Sequence, residues 1–210
     1  MGDFAARLWL TLTGAAGFAL CYYGAAWLSW RDPVTIGATV VDVSLPCLPS
    51  FVWVYALGIA WPLLLPWILP RAHWRHAMLG FAMVSTASAC IWLLLPSDGS
   101  ALRLQCAGYA RWELDLLYRL DTPTRLFPSL HIGYAVLTSA CIAAALPAWR
   151  SAALIMAAAQ VAAVCLVKQH YLADAGLGAV IALGAYWLSA TLLAAGPYRA
   201  GASIHPSAAR

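Results

Sequence analysis

The chain has 210 residues, 63% of them hydrophobic and only 10% charged, with a mean hydropathy of +0.77. A soluble domain carries roughly a quarter of its residues as charges, so this composition describes an integral membrane protein. The net charge of +4 is modest and scattered, and no nucleic-acid-binding motif is present, which argues against DNA or RNA as a partner.

Six apolar stretches reach or approach the ~20 residues a helix needs to cross a bilayer. In chain order they are 8–30, 51–69, 78–95, 127–149, 152–168 and 175–195. The first follows Arg7, but at about 23 residues it is too long for a signal core, and Trp and Tyr at its end suit an interfacial belt. It is read as a retained anchor. Residues 31–50 hold three prolines and no helical period, which predicts an external loop. Pro62 and Pro66 predict a kink or a break in the second span. Residues 70–77 form a tight basic turn. The longest polar connection, 96–126, contains Trp112, Leu116, Leu117 and Leu120 on one helical face, with Arg111, Asp115 and Arg119 elsewhere. That pattern predicts a short helix, either lying on the membrane surface or packed on the bundle. Gly14 and Gly17 in the first span, and Gly176, Gly178 and Gly184 in the last, predict close helix packing. The tail from 197 to 210 is expected to be disordered, with His205 idle. No repeat or linker divides the chain. The expected fold is therefore a single all-α domain over 1–210, a bundle of six transmembrane helices with a short interfacial helix between the third and fourth.

Six crossings leave both termini on one side. Cationic residues divide evenly between the two faces, but Arg71-Ala72-His73-Trp74-Arg75-His76 and its companions lie in much shorter connections, which places the termini in the cytoplasm. The expected location is a bacterial inner membrane with the opposite face outward. Four of the six cysteines fall in apolar segments. Cys47 and Cys106 fall in the two long outer connections, where a disulfide and two free thiols fit the sequence equally.

Two motifs carry the chemistry. In Phe127-Pro128-Ser129-Leu130-His131, Pro128 suits the first turn of a helix, whose unpaired amides form an anion site beside the Ser129 hydroxyl and His131. In Lys168-Gln169-His170-Tyr171-Leu172-Ala173-Asp174, the spacing of His170 and Asp174 sets both on one helical face, where the carboxylate takes one ring proton and leaves the other nitrogen free. Each motif alone also fits a plain helix start or a capping pair. Together they enter from the same membrane face, with Lys168, Arg125 and Arg103 nearby. Cations, helix-end amides and two histidines are what phosphoryl transfer requires.

The pattern Phe-Pro-Ser-Leu-His followed by Lys-Gln-His-Tyr-x-x-Asp resembles the type-2 phosphatidic acid phosphatase superfamily, and within it the inositol phosphorylceramide synthase-like branch. The similarity runs from about Val41 to Gly184. It includes Leu-Pro-x-Leu-Pro-Ser-Phe-Val-Trp-Val-Tyr from Leu45, and Leu-Tyr-x-Leu-Asp-x-Pro before the first histidine motif. The resemblance implies a metal- and cofactor-independent phosphatase or head-group phosphotransferase acting on a lipid phosphate or phospholipid through a phosphohistidine. His170 would attack phosphorus, Asp174 would orient it, and His131 would protonate the leaving oxygen. Ser129, Lys168, Arg125 and Arg103 would bind phosphate. The sequence departs from the superfamily in lacking its first motif, for which Arg103 would stand in. Ala163-Val164 replace the usual Ser-Arg, with Lys168 as the substitute. Two other classes remain: a non-enzymatic transporter or scaffold, and an intramembrane serine hydrolase built on Ser129, which lacks a Gly-x-Ser-x-Gly elbow.

Overall fold

Long apolar runs become helices in a bilayer because the backbone has no other partner there. The computed structural model describes residues 2–106, 108, 111–121 and 123–195. Its elements are α1 (Asp3–Leu28), β1 (Val34–Thr35), α2 (Val40–Ser44), α3 (Val52–Ile68), α4 (Trp74–Leu94), β2 (Ser97–Asp98), α5 (Ser100–Arg103), α6 (Trp112–Leu120), α7 (Leu130–Ala145), α8 (Arg150–Leu166) and α9 (Leu172–Ala195). The result is an all-helical membrane bundle. Counting the 3-10 turns that lead into α3, α4 and α8, five helices among the described residues are long and apolar enough to cross a membrane. The sixth expected span, α7, is apolar but only 16 residues long. It packs against α3, α4, α8 and α9, with Ile132, Ala135, Leu137 and Ile142 fully buried. α1 lies at the edge of the bundle, against α3 and α4.

Several expectations change. The connection 31–50 is not plain loop: Thr39 and Asp42 form a capping box that starts α2, each side chain holding the other's backbone amide. α3 runs unbroken through Pro62 and Pro66. Near its end, Arg7 of α1 donates to the carbonyls of Pro66 and Trp67 at 2.6 and 2.9 Å. α6 forms, but its predicted face divides. Leu117 turns inward with Leu114 and Glu113, while Trp112, Leu116 and Leu120 stay exposed. Of the glycines expected at helix contacts, only Gly178 sits at one: a Cβ there would lie 2.4 Å from the Ser129 carbonyl oxygen. A Cβ at Gly14, Gly17, Gly176 or Gly184 would meet nothing within 4 Å. The tail and His205 lie outside the described residues.

The connections between α1 and α3 and between α4 and α7 form a cap over one end of the bundle. β1 and β2 pair in parallel. Buried Ser97 binds the strand entering α7, its hydroxyl accepting from the Leu126 and Phe127 amides and its carbonyl from the Arg125 amide. Cys47 and Cys106 are joined by a disulfide. α8 ends in a Schellman turn: the Gln169 amide reaches the Val164 carbonyl and the Lys168 amide the Cys165 carbonyl, with Lys168 left-handed at φ 55°. The Lys168 side chain is buried and donates to the carbonyls of Asp42 and Leu45, both at 2.7 Å. Asp42 closes the ring by accepting from the Leu172 amide at 2.8 Å. One buried pair thereby fixes α2 to the turn that carries His170.

Burial works against the Asp42 carboxylate, but hydrogen bonds from Thr39 and the Leu172 amide, with Lys168 nearby, outweigh it and hold its pKa below the ordinary 3.8. A carboxylate depressed in this way stabilises the fold fully above its ordinary value, and the effect fades as pH falls through the folded value. Asp42→Asn should therefore lower the thermal midpoint of detergent-solubilised protein at neutral pH, by the equivalent of about 1–3 kcal/mol. The gap to wild type should narrow as the pH drops below about 4. A gap that ignores pH would show that the charge contributes nothing.

Candidate active site

Two histidines reach one cavity from different elements. His131 is the second residue of α7, and its ring stacks on Tyr55 of α3, with centroids 4.1 Å apart and planes 16° from parallel. Its Nε2 lies 3.0 Å from Gln160 Oε1. The Gln160 amide nitrogen is already donating to the Val54 carbonyl at 2.7 Å, so the oxygen is what faces His131. That oxygen only accepts, which makes His131 Nε2 the donor and leaves Nδ1 for exchange with a ligand. Gly58 makes this approach possible: a Cβ there would stand 2.1 Å from Gln160 Oε1 and 2.6 Å from His131 Nε2.

His170 and Asp174 meet by a different route from the one their spacing suggested. They do not share a helix face. His170 lies in the turn before α9, while Asp174 sits in the first turn and accepts from the Tyr171 amide through Oδ2 at 2.9 Å. The same oxygen lies 3.5 Å from His170 Nδ1. Asp174 is fully buried, and its Oδ1 has no hydrogen-bond partner among the described residues. His170 Nδ1 likewise makes no hydrogen bond among the described residues, so the two groups face each other across that distance. Nε2 is the ring nitrogen on the far side from Asp174.

The two helix starts are tied by one backbone bond, Ser129 N–H to the Asp174 carbonyl at 3.0 Å. The sequence placed Pro128 in the first turn of its helix; α7 instead begins at Leu130, with Ser129 as N-cap accepting from the Ile132 amide. Pro128 stands outside the helix, its carbonyl accepting from Trp92 Nε1. Ser129 is fully buried and does not line the cavity. Lys168 does not line it either.

The cavity measures about 450 Å³. Its polar end holds Tyr22, Tyr55, Asp121, Arg125, His131 and His170. Asp121 accepts from both phenols, Tyr22 through Oδ1 and Tyr55 through Oδ2. The Arg125 guanidinium lies over the Tyr22 ring at 4.8 Å. Arg103 stands behind the wall, donating to the carbonyls of Tyr118 and Asp121 and to Gln169 Oε1, next to His170 in sequence. Burial lowers the Arg103 pKa against the pull of Asp121, from a starting value high enough to leave a cation. Among the described residues, no three of His, Cys, Asp and Glu are grouped to hold a metal ion.

Of the seven residues singled out by sequence, His131, His170 and Arg125 line the cavity, with Asp174 and Arg103 directly behind. Ser129 and Lys168 hold the frame. Sequence reasoning missed Tyr22, Tyr55, Asp121, Gln160 and Gly58. Gln160, a lone amide in an alanine-rich apolar helix, was the one with a readable signal.

Gly58→Ala should force Gln160 and His131 apart and lower the thermal midpoint by the equivalent of about 1–3 kcal/mol, because the added methyl overpacks a buried contact. Thermal unfolding of both proteins checks this; an unchanged midpoint would mean that the two side chains can part without cost. No family model, curated protein or solved structure matches this chain.

Proposed function

We propose that this chain is a membrane enzyme that removes or transfers the phosphate group of a lipid through a phosphohistidine on His170. The observation that carries the proposal is the shared cavity. His170, backed by a buried carboxylate, and His131, held by Gln160, face one hollow whose remaining walls are largely apolar. A nucleophile, a proton carrier and cations at the head of a greasy slot fit a phosphate on an apolar chain.

In this scheme His170 Nε2 attacks phosphorus, and the N–P bond forms as the P–O bond to the leaving group breaks. Asp174 balances the charge that develops on the ring. His131 takes up a proton at Nδ1 from water once the anionic phosphate lies beside it, and gives that proton to the leaving oxygen. It then takes a proton from water or an acceptor alcohol as that oxygen attacks phosphorus and frees His170. Arg125, with Arg103 behind it, offsets the phosphate charge. Water gives a phosphatase and an alcohol gives a phosphotransferase.

We further propose that α7 is a sixth crossing, that the termini are cytoplasmic, and that the site faces outward from a bacterial inner membrane. The Cys47–Cys106 disulfide beside the site supports an oxidising compartment there, and Arg7, Arg71 and Arg75 at the other end support the cytoplasmic side.

Wild type and His170→Ala should be compared in lipid nanodiscs with chelator present, on lipid phosphates and phosphodiester lipids, with and without acceptor alcohols. The expected result is phosphate release or a new lipid from wild type, with at least about a thousandfold loss in the variant. Equal turnover by both proteins, or turnover that the chelator abolishes, would overturn the mechanism.

A further inference from the structure

The cavity does not end at the histidines. From its polar head it continues as a trench between α1 and α3, walled by Gly14, Ala15, Ile59, Pro62, Leu63 and Pro66. Counted along the helices, it runs from Tyr55 to Pro66 on α3 and from Tyr23 to Leu10 on α1, roughly 16 to 20 Å. Ile59 and Leu63 line it yet stay exposed, so its flank opens sideways rather than into the core. Gly14 lines the trench, and a Cβ there would meet nothing within 4 Å, so the position has room for a larger side chain.

We propose that this trench is the binding site for one long apolar chain of the substrate, laid along α1 and α3 with its phosphate at His170 and His131. The proposal rests on the phosphoryl-transfer reading for the headgroup and on the trench for the chain. The occupant follows from continuity and chemistry. One hollow joins cations and imidazoles to a slot with almost no hydrogen-bonding side chain, and its length matches an extended chain of about a dozen methylenes or more. Headgroup and chain must then be covalently joined to fill both parts. A short-chain or water-soluble phosphate would leave the slot empty and forgo its apolar contact.

Photocrosslinking of the full chain in phosphatidylcholine nanodiscs tests this without relying on turnover. The probe is hexadecyl phosphate with a diazirine at the far end of the chain, and adducts are mapped by mass spectrometry. The expected adducts fall on residues 10–15 and 59–66. Gly14→Leu, which fills the trench from a helix position that tolerates leucine, should cut their yield about tenfold. Gly184→Leu, on α9 where a Cβ also meets nothing within 4 Å, should leave it unchanged. The same probe with an alcohol in place of the phosphate should label these residues far less. Adducts spread over outward-facing Trp187 and Leu188 of α9, or a yield indifferent to Gly14→Leu, would overturn the trench. Turnover by wild type and His170→Ala, set beside the labelling, separates the two readings: trench labelling with equal turnover by the two proteins would sink the chemistry and keep the chain site, while His170-dependent turnover without trench labelling would do the reverse.

Discussion

The arrangement at the site depends on how closely α7 and α9 approach each other at their starts. Lipid gives helices no hydrophobic reason to associate, so contact must come from packing and hydrogen bonds. Here Gly178 lets the α9 backbone reach the Ser129 carbonyl, and the Ser129 amide bonds to the Asp174 carbonyl. Any side chain at 178 would separate the two helices, and with them His131 from His170. The position of both histidines is therefore set by backbone contact, which side-chain motion cannot relax.

Around that crossing, ionic groups divide into two kinds of work. Lys168 and Asp42 are buried and spend their hydrogen-bonding capacity on carbonyls and amides of the frame. A cation so engaged is costly to strip of its partners, which makes it a poor ligand for an incoming phosphate. Arg125 and Arg103 stand nearer the cavity and keep company with tyrosine rings and Asp121. The disulfide joins the segment before α3 to the one after α5, so the Leu45 carbonyl that binds Lys168 and the Arg103 guanidinium both sit within three residues of one covalent link.

The apolar stretches, the short helix near 110–121 and the convergence of two histidines were all legible in the sequence, because hydropathy and the cost of polar groups in lipid act locally. The pairing of His170 with Asp174 was anticipated for a reason that proved different. A spacing of four suggested a shared helix face, whereas the contact arises because Asp174 caps the helix that His170 precedes. Ser129 and Lys168 looked like phosphate ligands because a hydroxyl and an ammonium beside histidines invite that role. The Ile132 amide that claims Ser129 is local, but was hidden by expecting the helix to begin at Pro128, and only tertiary structure shows the carbonyls that claim Lys168. The capping box at Thr39 and Asp42 was present in the sequence as Thr-x-x-Asp, but the prolines around it masked it. Tyr22, Tyr55 and Asp121 come from three distant segments, and nothing local marks them as a set.

The short span of α7 has a consequence for depth. At 16 residues it covers about 24 Å, against roughly 30 Å of hydrocarbon. The longer α1, α4 and α9 are the helices that can match bilayer thickness. α7 and α9 start level, because the Ser129 amide bonds to the Asp174 carbonyl, so the shortfall of α7 falls at its other end, near Ala145. Hydrophobic mismatch would be felt first there, at the end of the bundle away from the imidazoles, where a thinner or thicker bilayer can deform without moving His131 or His170.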